Sequence, residues 1–267
     1  MDWTNWAGLA AGLLISTVTA PVGVSGAVFL LPVQLSILGV PSPAVTPTNL
    51  LFNVVAGPGA LWRYRHDGAL RDGLARRLVL WTLPGVIAGA AVRVFALPGQ
   101  NLFRTLVAAL LLPLGVWLCL RTLHPARQHP DAAEPSAPAL AALALAVGVV
   151  GGIYGIGGGS LLGPVLAARG MSMARIAPAT LAATFTTSVA GAAAYAMLAL
   201  ASSGPVAPDW WLGLACGLGG LIGGYLGARL QRHLPETALR LLLGTLAAAL
   251  GALYAVQALP QGCCKFF

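Results

Sequence analysis

GIGGGSLLGP, Gly155 to Pro164, sets five glycines and a proline inside an otherwise membrane-grade apolar run. A quieter copy, GVSGAVFLLP, stands 132 residues earlier at Gly23 to Pro32. Gly23, Gly26, Leu30, Pro32 and Val33 pair with Gly155, Gly158, Leu162, Pro164 and Val165, and after a one-residue gap the agreement resumes. There TPTNLLFNVVAGPGALWRY, Thr46 to Tyr64, lies over APATLAATFTTSVAGAAAY, Ala177 to Tyr195, so that Pro47, Leu50 and Tyr64 match Pro178, Leu181 and Tyr195. Self-similarity on this scale makes the chain a duplication.

Composition sets the class. The chain is 58% apolar and 8% charged, with 34 glycines and a mean hydropathy of +0.83, whereas charged residues make up roughly a quarter of a soluble domain. These values predict an all-α integral membrane protein. The net charge of +8 comes from 15 Lys and Arg spaced between apolar runs rather than gathered on one face, which reads as bilayer orientation and not as nucleic-acid binding. Met1 to Asn5 carries no basic segment, and the apolar run from Trp6 continues into the repeat, so no cleaved leader is expected. Cys119 and Cys216 lie in apolar runs as small hydrophobes, and Cys263 and Cys264 are neighbours in a tail without partner ligands. No disulfide framework, metal site or cofactor is expected from them.

Six runs approach the roughly 20 residues of a bilayer crossing: Ala44 to Trp62, Leu78 to Leu97, Leu102 to Leu120, Ile176 to Leu200, Trp210 to Ala228 and Ala238 to Ala258. The two remaining apolar regions are split by their glycine motifs into Trp6 to Ala20 with Ala27 to Leu38, and Leu140 to Val150 with Ser160 to Ala168. Each half reads as about 14 to 22 Å long, short of a ~30 Å core. Charge decides how such halves thread. If both regions are re-entrant hairpins, linkers Arg63 to Arg77, Arg121 to Pro138, Arg169 to Arg175 and Arg229 to Arg240 share one face and carry 12 of the 15 basic residues, leaving Arg93, Arg104 and Lys265 opposite. Single broken crossings would divide them 8 against 7. The positive-inside rule favours hairpins, with the basic face cytoplasmic.

That threading divides the chain into repeat one (1–122, hairpin 6–38 plus three crossings), a linker (123–138), repeat two (139–258, hairpin 140–168 plus three crossings) and a tail (259–267). The repeats are then inverted, a recurrent plan of secondary transporters that places the substrate near the midplane. Trp3, Trp6, Trp210 and Trp211 read as interfacial anchors on the outer side.

A turn inside the membrane leaves backbone groups that hydrocarbon does not tolerate, so hairpin tips line something. A new half-helix is expected near Ala27 and another near Ser160, each aiming free N–H groups and a positive dipole end at the tip, a setting for an anion. Plain small-residue packing between helices is the alternative for the glycines. A nucleotide loop is not indicated, since no Lys-Ser/Thr follows GIGGGS and no strand precedes it. On the following crossings Asn49 and Asn53 superpose on Thr180 and Thr184, each pair on one helix face, and Thr187 and Ser188 extend the second face by a turn. Neutral amides and hydroxyls hold an oxyanion loosely enough to release it, although interhelical hydrogen bonds or bonds to the i−4 carbonyl are the plainer use of such groups. All seven acids fall at ends or linkers and all four histidines in linkers. Coupling through an intramembrane carboxylate is therefore not expected.

GVSGAVFLLP with its echo GIGGGSLLGP, and the TPTN and APAT starts of the next helices, resemble the TauE/SafE sulfite exporter family, also called TSUP, over Trp6 to about Ala258. The resemblance implies a multi-pass protein of the bacterial inner membrane moving sulfite, thiosulfate or organosulfonates, with oxyanion contacts at Gly23 to Gly26 and Gly155 to Ser160. Repeat one departs from the glycine-rich form, having Ser25, Ala27 and Val28 where repeat two has Gly157, Gly159 and Ser160, so unequal half-sites are expected. The candidate substrate-binding set is Gly23, Ser25, Gly26, Asn49 and Asn53 with Gly155, Gly157, Gly158, Gly159, Ser160, Thr180, Thr184 and Ser188. The partners expected are a small sulfur-containing anion and membrane lipid, with no nucleic acid; a homodimer is compatible. The reading is a secondary transporter or facilitator, working toward export because a negative-inside potential favours anion exit by about 2.3 kcal/mol per charge per 100 mV. A small-anion channel is the near alternative. An intramembrane enzyme lacks a catalytic constellation at one depth, and no enzymatic activity is expected.

Overall fold

The computed structural model describes residues 3–40, 42–70, 73–95, 101–123, 136–201 and 208–258. Among these residues there is no strand. The helices are α1 (Trp3–Thr19, extended by a 3-10 turn Ala20–Val22), α2 (Ala27–Ser36), α3 (Ser42–His66), α4 (Leu74–Phe95), α5 (Asn101–Leu123), α6 (Ala137–Tyr154), α7 (Leu162–Ala168), α8 (Met173–Ala201), α9 (Trp210–Gln231) and α10 (Glu236–Ala258). Among the described residues six stretches are long and apolar enough to cross a membrane: Trp3–Val22, Leu74–Phe95, Ala137–Tyr154, Met173–Leu198, Trp210–Gln231 and Glu236–Gln257. The expected crossings at α4, α8, α9 and α10 are among them. Helix α3 is 25 residues long but carries Asn49, Asn53 and a basic last turn.

The hairpin arms differ from the expectation of four short halves. α6 runs 18 residues and α1 17, whereas the returning arms α2 and α7 have 10 and 7. α6 continues past Val150 because Gly151 and Gly152 let it lie against other backbone: a Cβ at Gly152 would come 2.2 Å from the Val86 carbonyl oxygen of α4. The helix stops only where Gly155 turns left-handed. α7 begins at Leu162, two residues past Ser160, whose hydroxyl turns back to the Ile156 carbonyl at 2.8 Å. The linker residues 124–135 and the tail with Cys263 and Cys264 lie outside the described residues.

Helix pairing repeats under exchange of the two copies. α1 packs on α9, and its counterpart α6 packs on α4; α3 packs on α9, and α8 on α4. α1 and α9 run parallel, with Gly8 against Leu212, Gly219 against Leu9 and Gly227 against Thr17. α4 and α6 are parallel in the same way, Gly85 meeting Leu145 and Gly89 meeting Ile153. These seams are close enough that a Cβ at Gly12 would lie 2.1 Å from the Cys216 carbonyl oxygen, the small-residue approach that packs helices where lipid offers no hydrophobic drive. Helices α3 and α5 each pack antiparallel on their own counterparts, α8 and α10. Gly57 of α3 meets Phe185 of α8 while Gly191 meets Leu50, and Gly115 of α5 meets Ala248 of α10 while Gly251 meets Leu112.

Hydrogen bonds tie several helix ends together at the basic face. Gln231 Nε2 donates to the Met173 carbonyl at 3.1 Å, and the Met173 N–H donates to Glu236 Oε1 at 2.9 Å. Arg240 is nearly buried and donates to the carbonyls of Ala167, Gly170 and Met171 at 2.9, 3.2 and 2.8 Å, while Arg121 donates to Ala168. The linkers holding Arg169 and Arg229 therefore lie at the same end of the bundle. At the other end Trp3, Trp6, Trp210 and Trp211 are exposed. There the Asp209 carboxylate caps α9 by accepting from the Leu212 N–H at 3.1 Å.

Candidate functional site

Both hairpin turns are built alike. The 3-10 turn after α1 ends at Gly23 with φ 73°, and α6 ends at Gly155 with φ 69°, the left-handed conformation that favours glycine. Behind each turn a matched tyrosine reaches in: Tyr64 donates to the Ala20 carbonyl and Tyr195 to the Gly152 carbonyl, both at 3.0 Å. The turns also seat on each other's repeat. A Cβ at Gly23 would lie 2.5 Å from Ala177 Cα, and one at Gly155 would lie 2.3 Å from the Thr46 carbonyl oxygen; Thr46 and Ala177 are themselves the aligned positions.

Beyond the turns the copies diverge. In repeat one the Ser25 hydroxyl donates to Asn53 Oδ1 and accepts the Ala27 N–H at 3.1 Å, and Asn49 Nδ2 donates to the Ala27 carbonyl at 3.1 Å. Asn53 Nδ2 and Thr19 Oγ1 are left without a partner, although these residues are only 3% and 2% exposed. An unpaired buried polar group costs about 1–3 kcal/mol, so these two atoms point to something that enters. They border a cavity of about 30 Å³ whose polar side is Ser16, Thr19, Ser25, Asn53 and Thr184 and whose apolar side includes Phe52 and Phe185. That volume accepts about two water molecules. No charged side chain lines it.

In repeat two the equivalent space is filled. The Gly158 N–H donates to Thr187 Oγ1 at 2.9 Å, and Thr187 in turn donates to the Ala183 carbonyl at 2.6 Å. Ser160 Oγ lies 3.4 Å from Thr184 Oγ1. Gly157 (φ 75°) packs on Thr184 and Ser188, Gly158 on Thr82, and Gly159 on the Thr180 carbonyl. The expectation of two helix N-termini facing one pocket is corrected on this point. The Gly158 amide is already engaged, α7 is a short helix starting past Gly159 and Ser160, and the hairpins meet mainly through apolar groups. Val24, Val28 and Phe29 face Ser160, Leu161 and Pro164 there, around a void of only about 10 Å³.

Of the residues selected from sequence, Ser25, Gly26, Asn53 and Thr184 line the cavity. Gly23, Asn49 and Thr180 stand behind it: Thr180 donates to the Gly23 carbonyl at 2.7 Å. Gly155, Gly157, Gly158, Gly159, Ser160 and Ser188 belong to the closed cluster in repeat two. Sequence reasoning missed Ser16, Thr19, Phe52 and Phe185. Ser16 and Thr19 carried a readable signal, since they are the polar i, i+3 pair on the last turns before the first glycine motif. Among the described residues no group of three His, Cys, Asp or Glu side chains is placed to hold a metal.

No curated protein and no solved structure matches the chain significantly. The model of the family described as sulfite exporter TauE/SafE matches residues 8–254, nearly the whole length, and does so across both hairpins and all the helix pairs described above. The chain belongs to the sulfite exporter TauE/SafE family of membrane transporters.

Proposed function

We propose that this protein moves a small sulfur-containing anion, namely sulfite, thiosulfate or an organosulfonate, out across the bacterial inner membrane as a secondary transporter or facilitator. The observation that carries the reading is the uncharged polar cavity at the repeat-one tip, where Asn53 Nδ2 and Thr19 Oγ1 have no partner inside the protein. Amide and hydroxyl donors without a fixed cation bind an oxyanion weakly enough for turnover. The antiparallel run of α3 on α8 and of α5 on α10 supports inverted repeats exchanging access between the two sides. The basic face is the cytoplasmic one in this reading. The protein carries out no bond-making chemistry of its own, and the other residues selected from sequence shape the tips around the bound anion.

The test is uptake of sulfite, thiosulfate, sulfoacetate and taurine into proteoliposomes holding the purified protein. Saturable flux, stimulated by the same anion on the opposite side and lost in Asn53→Leu, is expected. Flux that never saturates and shows no counter-transport would make the protein a small-anion channel, and no flux of any of the four would end the reading.

A further inference from the structure

Buried polar atoms without partners fall unevenly between the two repeats. Among the described residues, repeat one has Thr19 Oγ1, both side-chain amide atoms of Gln34, Asn49 Oδ1 and Asn53 Nδ2, with Arg63 Nε apart from them, while repeat two has Ser188 Oγ. The positions of repeat two aligned with Thr19, Gln34, Asn49 and Asn53 are Gly151, Leu166, Thr180 and Thr184. Two of these have no polar side chain. Thr180 donates to the Gly23 carbonyl, and Thr184 pairs with Ser160. The fold thus places matching backbone in both halves and leaves more hydrogen-bonding capacity open in repeat one than in repeat two, where the Ser188 hydroxyl is the unpaired group among the described residues.

Gln34 is the extreme case. It is 0% exposed, and neither its side-chain carbonyl nor its amino group meets a nitrogen or oxygen partner; the Cys216 thiol, a weak hydrogen-bonding group, is what faces it. It sits on α2 about two helical turns past Ala27, on the arm that runs from the tip toward the end of the bundle opposite the basic face. Asn49, whose Nδ2 holds the Ala27 carbonyl, lies between Gln34 and the cavity along this arm. A carboxamide that meets no nitrogen or oxygen partner is costly to keep in an apolar interior.

The two hairpins are also held unequally. The returning arm α7 ends in a clamp of Arg121 and Arg240 on the carbonyls of Ala167, Ala168, Gly170 and Met171, with Glu236 joining Arg240 to α8. The corresponding end of α2 is closed by its own backbone, the Val40 N–H donating to the backbone carbonyl of Gln34 at 2.9 Å.

We infer that the anion's route runs from the tip cavity along α2 of repeat one past Asn49, and that Gln34 is a second anion-binding station on it, while the hairpin of repeat two is the fixed scaffold. This rests on the transport reading and deepens it. The Gln34 amino group donates to the passing oxyanion, and its carbonyl is met by water travelling with the ion.

Uptake of radiolabelled sulfite and thiosulfate is measured at sub-saturating concentration for wild type, Gln34→Leu, Gln34→Met and Asn53→Leu, together with thermal melting in detergent. Replacing an unpaired buried amide by an apolar group of similar shape is neutral or stabilising. Both Gln34 variants are therefore expected to melt at or above the wild-type temperature while uptake falls about tenfold or more, the loss of one hydrogen bond to a charged group. Uptake within about twofold of wild type in the Gln34 variants, with Asn53→Leu inactive, would overturn the second station and leave the cavity reading standing. Lower melting in both Gln34 variants would also overturn it, because the amide would then be a structural partner. A wild-type protein that moves neither anion removes the transport reading and this inference together.

Discussion

The Thr180 hydroxyl lies 2.7 Å from the Gly23 carbonyl oxygen and 2.9 Å from that of Ile176 in its own helix, its single proton shared between the two acceptors. One side chain of repeat two thereby holds the left-handed turn of repeat one. Thr180→Val keeps the shape and removes both bonds. The expected result is a loss of about 1 kcal/mol, read as a lower melting temperature in detergent, with the Gly23 turn loosened.

Gly23 and Gly155 each combine positive φ with backbone of the other repeat where a Cβ would go. Gly23→Ala and Gly155→Ala are both expected to destabilise by more than the ~1 kcal/mol typical of a left-handed alanine. Gly39 also has positive φ but nothing within 4 Å of a Cβ, so Gly39→Ala is expected to cost only the backbone strain. Comparing the three melting temperatures separates strain from collision.

Arg240 is the centre of the clamp at the basic face. Arg240→Met retains the aliphatic stem and abandons three carbonyls and Glu236, and about 3 kcal/mol of destabilisation is expected from a nearly buried, hydrogen-bonded cation. Limited proteolysis after Arg169 or Arg175 should quicken in the variant and not in wild type.

Single cysteines introduced at Arg169 and Arg229, in a background lacking Cys119, Cys216, Cys263 and Cys264, should react with a membrane-impermeant reagent from one side only. A cysteine at Asp209 should react from the other. Labelling of Arg169→Cys and Arg229→Cys from opposite sides would contradict the common face that Gln231 and Met173 share.

Much of the architecture was legible because membrane helices advertise themselves through apolar length, and the glycine-proline motifs marked both turns. Gly23 and Gly155 were identifiable from the repeat alignment. What escaped was the unequal length of the hairpin arms. Gly151 and Gly152 look like helix breakers in sequence, yet they extend α6 because α4 supplies a backbone surface to lie on. The site was half legible for a related reason. Asn53 and Ser25 are polar residues in apolar runs and stand out, whereas the contribution of Phe52 and Phe185 depends on which helices meet. The motif richest in glycine proved to be the filled one, since each missing side chain there admits a neighbouring threonine or carbonyl.

The seam of α1 on α9 bears on how the molecule is made. Helix α1 finds its main partner only in α9, so its glycine edge must wait in the bilayer through the synthesis of the helices between them. Contacts so distant in the chain make assembly slow and leave early intermediates vulnerable to quality control. Lesions along that edge should therefore reduce the amount of protein reaching the membrane before they alter anything the finished molecule does.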